Sequence, residues 1–206
     1  MSPSKPHGGP GSIRRGRRPA GEDTRAGIID AARTEFAARG YDGSSLRGIA
    51  RLAEVDPALV HHYFDGKSHL FAETMSLPVR PAELIDAVLA GPREKVGERL
   101  ARTFFDIWDS PPGRERLVAL IRSAVSHDDA ARMLREFLAR EIFGKVALAM
   151  GVPQPHLRAG MAAAQMIGLA MMRSVIGFEP LAGASTDEIV ALVAPTLQHY
   201  LVDASL

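Results

Sequence analysis

The segment from Ser45 to Lys67, S-L-R-G-I-A-R-L-A-E-V-D-P-A-L-V-H-H-Y-F-D-G-K, constrains the fold more than any other part of the 206-residue chain. Ser45 is a good N-cap, and the apolar residues Leu46, Ile49, Ala50 and Ala53 follow it at helical spacing. Asp56 caps a second helix with Pro57 at its first position, where the missing N–H costs nothing. Leu59, Val60 and Phe64 give that helix an apolar side and leave Pro57, Ala58, His61 and His62 outward. Small Ala50 and Ala53 let the two helices approach closely. The layout predicts a helix-turn-helix, whose second helix can enter a major groove.

Around this segment the chain reads as helix after helix. Asp23 or Thr24 is expected to cap helix 1, whose buried side is Ile28, Ile29, Ala32, Phe36 and Ala37, and Gly40 to end it. A fourth helix starts near Lys67 and continues past Leu70 and Phe71 to Met75. Pro78 and Pro81 then break the pattern and mark a domain boundary near residue 78. Beyond it, helices are expected over residues 81–89, 92–108, 114–127, 129–150, 154–178 and 186–202. Turns at 111–113, 151–153 and 179–185 separate the later ones, and Pro195 should kink the last helix or move its start. No strand alternation stands out. The prediction is an all-α fold of about ten helices, with a basic arm at 1–22, a helix-turn-helix domain at 23–77 and a helical domain at 78–206.

Composition narrows the function classes. There are no cysteines, hence no disulfide framework and no thiolate metal site. The start of the chain is rich in Pro, Gly, Ser and Arg and is unlike a signal peptide. The most apolar segment, residues 159–178, contains Gln165 and Arg173 and falls short of a membrane span, so a cytoplasmic protein with no membrane partner is expected. A net charge of +1 says little, but its distribution is uneven. Residues 1–25 hold six Lys or Arg against two Asp or Glu, a balance of +4; residues 26–75 hold five against seven, a balance of −2. Residues 1–22 lack periodicity and read as disordered in the free protein. Arg14, Arg15, Arg17 and Arg18 within them look like an arm that enters a minor groove, the alternative being a solubilising tail.

The stretch from Thr24 to Phe71 resembles the DNA-binding domain of the tetracycline-repressor (TetR) family of bacterial transcriptional regulators. The ordered match is A-A-x-x-x-F-A-x-x-G-Y, then S-L-R-x-I-A, then V-x-x-x-x-V-x-H-Y-F-x-x-K, continuing through K-S-H-L-F, about a quarter of the chain. Two residues depart from the common pattern: Glu54 stands where a turn glycine is usual, and His61 where a phosphate-binding tyrosine is usual. The resemblance implies that Pro57 to Tyr63 form the reading surface of double-stranded DNA. There Pro57, Ala58 and Leu59 would favour thymine methyl groups, and His61 would retain a polar phosphate contact. It also implies backbone contacts from His62 and Tyr63, a phosphate contact from Lys67, and groove or phosphate contacts from Ser45 and Arg47. For Tyr63, partial burial between helices is an equal alternative; for Lys67 few structural reasons stand out.

In the C-terminal part, Leu100, Phe104, Ile107 and Trp108 share one helix side, as do Leu134, Phe137, Leu138 and Ile142. Such stripes are most often plain core. The family resemblance implies in addition a small-molecule effector pocket here, with Phe104, Trp108, Phe137 and Met166 as candidate lining. Gly160, Ala164 and Gly168 recur in steps of four beside Ile167 and Met171, and Ile189, Val193 and Leu197 line one side of the last helix. These eight residues are the candidate homodimer interface, the alternative being closure of the protomer's own core. A twofold dimer would present two recognition helices roughly 34–36 Å apart or a multiple of that.

No G-x-S-x-G, H-E-x-x-H, Gly-rich phosphate loop or dinucleotide fingerprint occurs. His61 and His62 point about 100° apart on a helix, and His127-Asp128-Asp129 sits where helix caps are expected, so no metal or cofactor is implied. The sequence predicts a DNA-binding regulator rather than an enzyme, most simply a homodimeric repressor released from a palindromic operator by a small ligand. The other readings are an architectural DNA-binding protein without effector and, more remotely, a helical enzyme.

Overall fold

The computed structural model describes residues 20–203, and every regular element among them is helical. A head is formed by α1 (Ala20–Gly43), α2 (Leu46–Leu52), α3 (Pro57–Tyr63) and α4 (Lys67–Thr74). The body follows as α5 (Pro81–Leu89), α6 (Val96–Trp108), α7 (Pro111–Ser126), α8 (Asp128–Phe137), α9 (Gly144–Met150), α10 (Pro155–Ala170), α11 (Glu179–Ala182) and α12 (Thr186–Val202). A π-helical segment, Leu138–Phe143, joins α8 to α9, and a second one, Met171–Ile176, prolongs α10.

Local chemistry accounts for most of these boundaries. Ser45 Oγ accepts the Gly48 N–H at 3.1 Å, and Asp56 Oδ1 accepts the Ala58 N–H at 2.7 Å, so both expected caps are in place. Gly40 breaks α1 with φ 71°, a left-handed value that glycine adopts without steric cost. Ser185 and Glu188 form a reciprocal capping box that fixes the start of α12. That start is the expected one, and the helix continues through Pro195 to Val202.

Three expectations need correction. α1 is already helical at Ala20, so Asp23 and Thr24 lie inside it rather than capping it, and residues 20–22 of the expected arm belong to this helix, the rest of the arm lying outside the described residues. α7 begins at Pro111, within the expected turn, because Ser110 Oγ accepts the Gly113 N–H at 3.2 Å and prolines suit a first helical turn. The expected separator at 179–185 contains the one-turn helix α11.

The body closes on itself mainly through α6 and α12. They meet at Gly97, where a Cβ would stand 2.5 Å from the Ala194 carbonyl oxygen, so only glycine fits. The Gly97 N–H donates to Gln198 Oε1 at 2.9 Å, and the Gln198 amide donates to the Arg93 carbonyl at 3.0 Å. Ile189, Val193 and Leu197 fill the inner side of α12. Arg158, itself buried, caps the end of that helix by donating to the Tyr200 and Asp203 carbonyls at 3.1 and 2.6 Å.

Head and body share one continuous apolar core. α1 and α4 rest on α8, and Phe137 meets Tyr41 edge-on at 5.5 Å and Phe71 at 4.7 Å. Polar contacts flank the rings. The Asp42 N–H donates to Glu136 Oε2 at 3.1 Å, and Arg140 pairs with the Asp42 carboxylate at 2.6 Å. Burial, with the Glu141 carboxylate nearby, pushes the Tyr41 phenol above its ordinary pKa, so it stays neutral in the core.

Candidate nucleic-acid interface

α2 and α3 form one exposed surface on the head. The turn between them is closed by the Val55 N–H donating to the Ala50 carbonyl at 3.0 Å. Glu54 passes through it with φ 55°, so the residue standing in place of a glycine adopts the glycine conformation. Val60 and Phe64 are buried, Leu59 and Tyr63 are half-buried, and Pro57, Ala58, His61 and His62 are exposed, as the apolar pattern implied. Ser45 and Arg47 at the start of α2 are exposed. Tyr63 packs against the core with its ring 5.1 Å from His62, so the half-buried alternative describes it. Arg14, Arg15, Arg17 and Arg18 lie outside the described residues.

The charge of this surface differs from that of the domain as a whole. Between residues 26 and 75, the acids are engaged in protein contacts with one exception. Asp30 pairs with Arg33, Glu35 with Arg39, Asp42 with Arg140, Asp65 with Arg80 and Glu73 with Arg25. Asp56 caps α3. Glu54 alone in that range remains without a partner. Of the basic groups in the same range, Arg47 and Arg51 reach solvent and are unpaired. Both lie on α2 one turn apart. The head is formally acidic, yet its free side chains on this face are mostly cationic. Arg51 is absent from the sequence-based candidates, although its i, i+4 relation to Arg47 was the available signal.

Lys67 is placed differently from the expectation. Its Nζ donates to the Tyr41 and Ser44 carbonyls at 2.8 and 3.2 Å and lies 4.4 Å from the centre of the Tyr41 ring. Partial burial holds its pKa below the ordinary lysine value. The ammonium ties α4 to the end of α1, a structural reason that spacing along the chain does not reveal.

In the body, Phe104, Trp108 and Phe137 line one apolar cavity of ≈ 110 Å³ between α5, α6, α7 and the α8 region. Met166 does not line it; it is fully buried on the inner side of α10. The candidate interface residues also separate. Gly160 is exposed on α10, and Ala164 and Gly168 follow it on the same outer side, with Ile167 and Met171 half-buried at its flanks. Ile189, Val193 and Leu197 are at most 5% exposed and face α6, so for them closure of the protomer's own core is the observed role. The outer side of α12 offers Leu192 instead, 82% exposed. By length and composition the helix Pro155–Ile176 would suffice to cross a bilayer, which differs from the expectation, and only 22% of its most apolar window is buried in the protomer. Leu157, Met161 and Ile176 are among its exposed apolar residues.

Comparison with known proteins bears on both halves. The family model described as "Bacterial regulatory proteins, tetR family" matches residues 28–74, the head just described. The model described as "Tetracyclin repressor-like, C-terminal domain" matches residues 94–201, just over half of the chain. The chain belongs to the TetR family. Among solved structures, a TetR-family regulator from Streptomyces coelicolor A3 is 38% identical, with a TM-score of 0.51, covering 91% of this chain and 99% of that one. The HTH-type transcriptional regulators BetI of Burkholderia ambifaria and Burkholderia thailandensis are each 26% identical, over 90% and 72% of this chain and 95% and 78% of theirs. As a TetR-family member, the protein is a DNA-binding transcriptional regulator with an N-terminal helix-turn-helix head and a C-terminal helical domain.

Proposed function

We propose that this TetR-family protein is a homodimeric repressor that binds a palindromic operator in the cytoplasm and is released from it by a small molecule. The observation that carries the DNA-binding part is the exposed α2–α3 surface, where Arg47 and Arg51 lack acidic partners and Pro57, Ala58, His61 and His62 project outward. Pro57 and Ala58 suit thymine methyl groups, and the cations suit phosphates. Ser45, His61, His62 and the half-buried Leu59 and Tyr63 belong to the same surface. The arginines Arg14, Arg15, Arg17 and Arg18 precede α1 in the chain and would lie in the adjacent minor groove. Lys67 acts by holding the head together.

Dimerisation is supported by the exposed apolar side of α10, continued by Leu192 on α12. A patch of this kind on a soluble protein calls for a partner, and a second copy supplies the same patch with twofold symmetry. Small Gly160, Ala164 and Gly168 would allow close approach of two α10 helices. Release is supported by Phe137, which both lines the cavity and touches the head. A ligand weakens operator binding only to the extent that it prefers the head arrangement that does not fit DNA.

The reading is tested by mixing the purified protein with a pool of random duplexes at graded salt and sequencing those retained. Recovery of a palindrome supports it. Retention without sequence enrichment would favour an architectural DNA-binding protein.

A further inference from the structure

The cavity between α5, α6, α7 and the α8 region has an unusual wall. Its lining comes from Leu, Ile, Val, Pro, Phe and Trp side chains, and no charged side chain contributes. Phe104 and Trp108 stand on α6 with ring centres 6.3 Å apart; Phe137 and Phe143 join the same wall from the α8 side. Moving an ionised group against such a wall without a partner is strongly unfavourable. Four aromatic faces and edges, by contrast, suit a flat ring in offset or edge-on contact. The volume, ≈ 110 Å³, is of the scale of engineered apolar cavities of about 150 Å³ that take up benzene. Arg135 and His156 line a neighbouring groove instead, which shares Leu134, Leu138, Phe143 and Ile167 with this cavity.

We infer that this cavity takes an uncharged, apolar molecule of about one aromatic ring, and that acids and ammonium compounds of the same size are excluded. This rests on the reading of the protein as a ligand-released regulator, and names the chemical class of its ligand. Occupancy acts on the head through Phe137, which belongs to the cavity wall and whose ring lies 4.7 Å from that of Phe71 in the head.

Trp108 is the single tryptophan of the chain, so its emission reports the cavity directly. The full-length protein is titrated with toluene and, separately, with benzoate, and emission is recorded alongside retention of DNA. Toluene is expected to give a saturable change in emission at a concentration at least tenfold lower than benzoate. Leu117→Phe, which adds volume to the wall, is expected to abolish the toluene response. Benzoate binding as tightly as toluene would overturn the inference and move the ligand's anionic end to the groove at Arg135. A lack of saturable response to either probe would overturn it as well. Failure of the regulator reading is seen separately, as absence of sequence-specific retention of DNA before any probe is added.

Discussion

The rings of Phe137 and Phe71 lie 4.7 Å apart, one at the end of α8 in the body and the other in α4 of the head. Both are fully buried, and Tyr41 closes edge-on against each of them. The contact is the centre of the joint between DNA-binding head and cavity-bearing body. Phe137→Ala is expected to lower unfolding stability by about 3–5 kcal/mol, the usual range for emptying a buried aromatic site. Urea unfolding measures it. The milder Phe137→Leu should retain DNA binding while reducing the effect of toluene on it, as read by DNA retention with and without the probe.

Arg47 and Arg51 are the free cations of the α2–α3 surface. Replacing either by Ala should weaken binding to all duplexes and reduce the dependence of log K on log salt by about 0.9 for each phosphate that is no longer neutralised. A dimer carries each substitution twice. Binding isotherms at four or five salt concentrations give the slope.

Lys67→Met keeps the length of the side chain and removes its two hydrogen bonds to the Tyr41 and Ser44 carbonyls. A loss of about 1.5–3 kcal/mol in unfolding stability is expected, the range for hydrogen bonds from charged groups. The salt slope of the folded variant should remain that of the parent protein. A flattened slope with unchanged stability would return Lys67 to the phosphate.

Glu54 adopts φ 55° in the turn between α2 and α3. Relieving this left-handed strain is worth roughly 1–2 kcal/mol, offset in part by the larger entropy that glycine loses on folding. Glu54→Gly should therefore raise stability by up to about 1 kcal/mol, whereas Glu54→Gln, which removes only the charge, should leave it close to the parent value. Thermal unfolding separates the two.

Leu192 is 82% exposed on α12, beside the apolar side of α10. Leu192→Glu combined with Met161→Glu should shift the protein from dimer to monomer in sedimentation velocity. An unchanged dimer would place the interface elsewhere.

The head was legible because its signals are local. Caps at Ser45 and Asp56, proline at the first turn of α3 and the glycine at position 40 act within a few residues of themselves. The same reasoning misplaced features set by distant partners. Lys67 looked free because the carbonyls that hold it come from Tyr41 and Ser44, over twenty residues earlier. Ile189, Val193 and Leu197 looked like an interface because an apolar stripe does not reveal whether α6 or another protein covers it. The family resemblance, not the apolar stripes, singled out Phe104, Trp108, Phe137 and Met166; the first three line one cavity, whereas Met166 is buried on the inner side of α10. Arg51 emerged once the ion pairs had shown which charges were already engaged.

The measurement closest to the central claim is the stoichiometry of the complex with a recovered duplex, by sedimentation equilibrium of protein and DNA together. The account predicts two protomers on one palindrome, with a half-site alone bound far more weakly. A single protomer binding the palindrome and its isolated half-site equally well would contradict it.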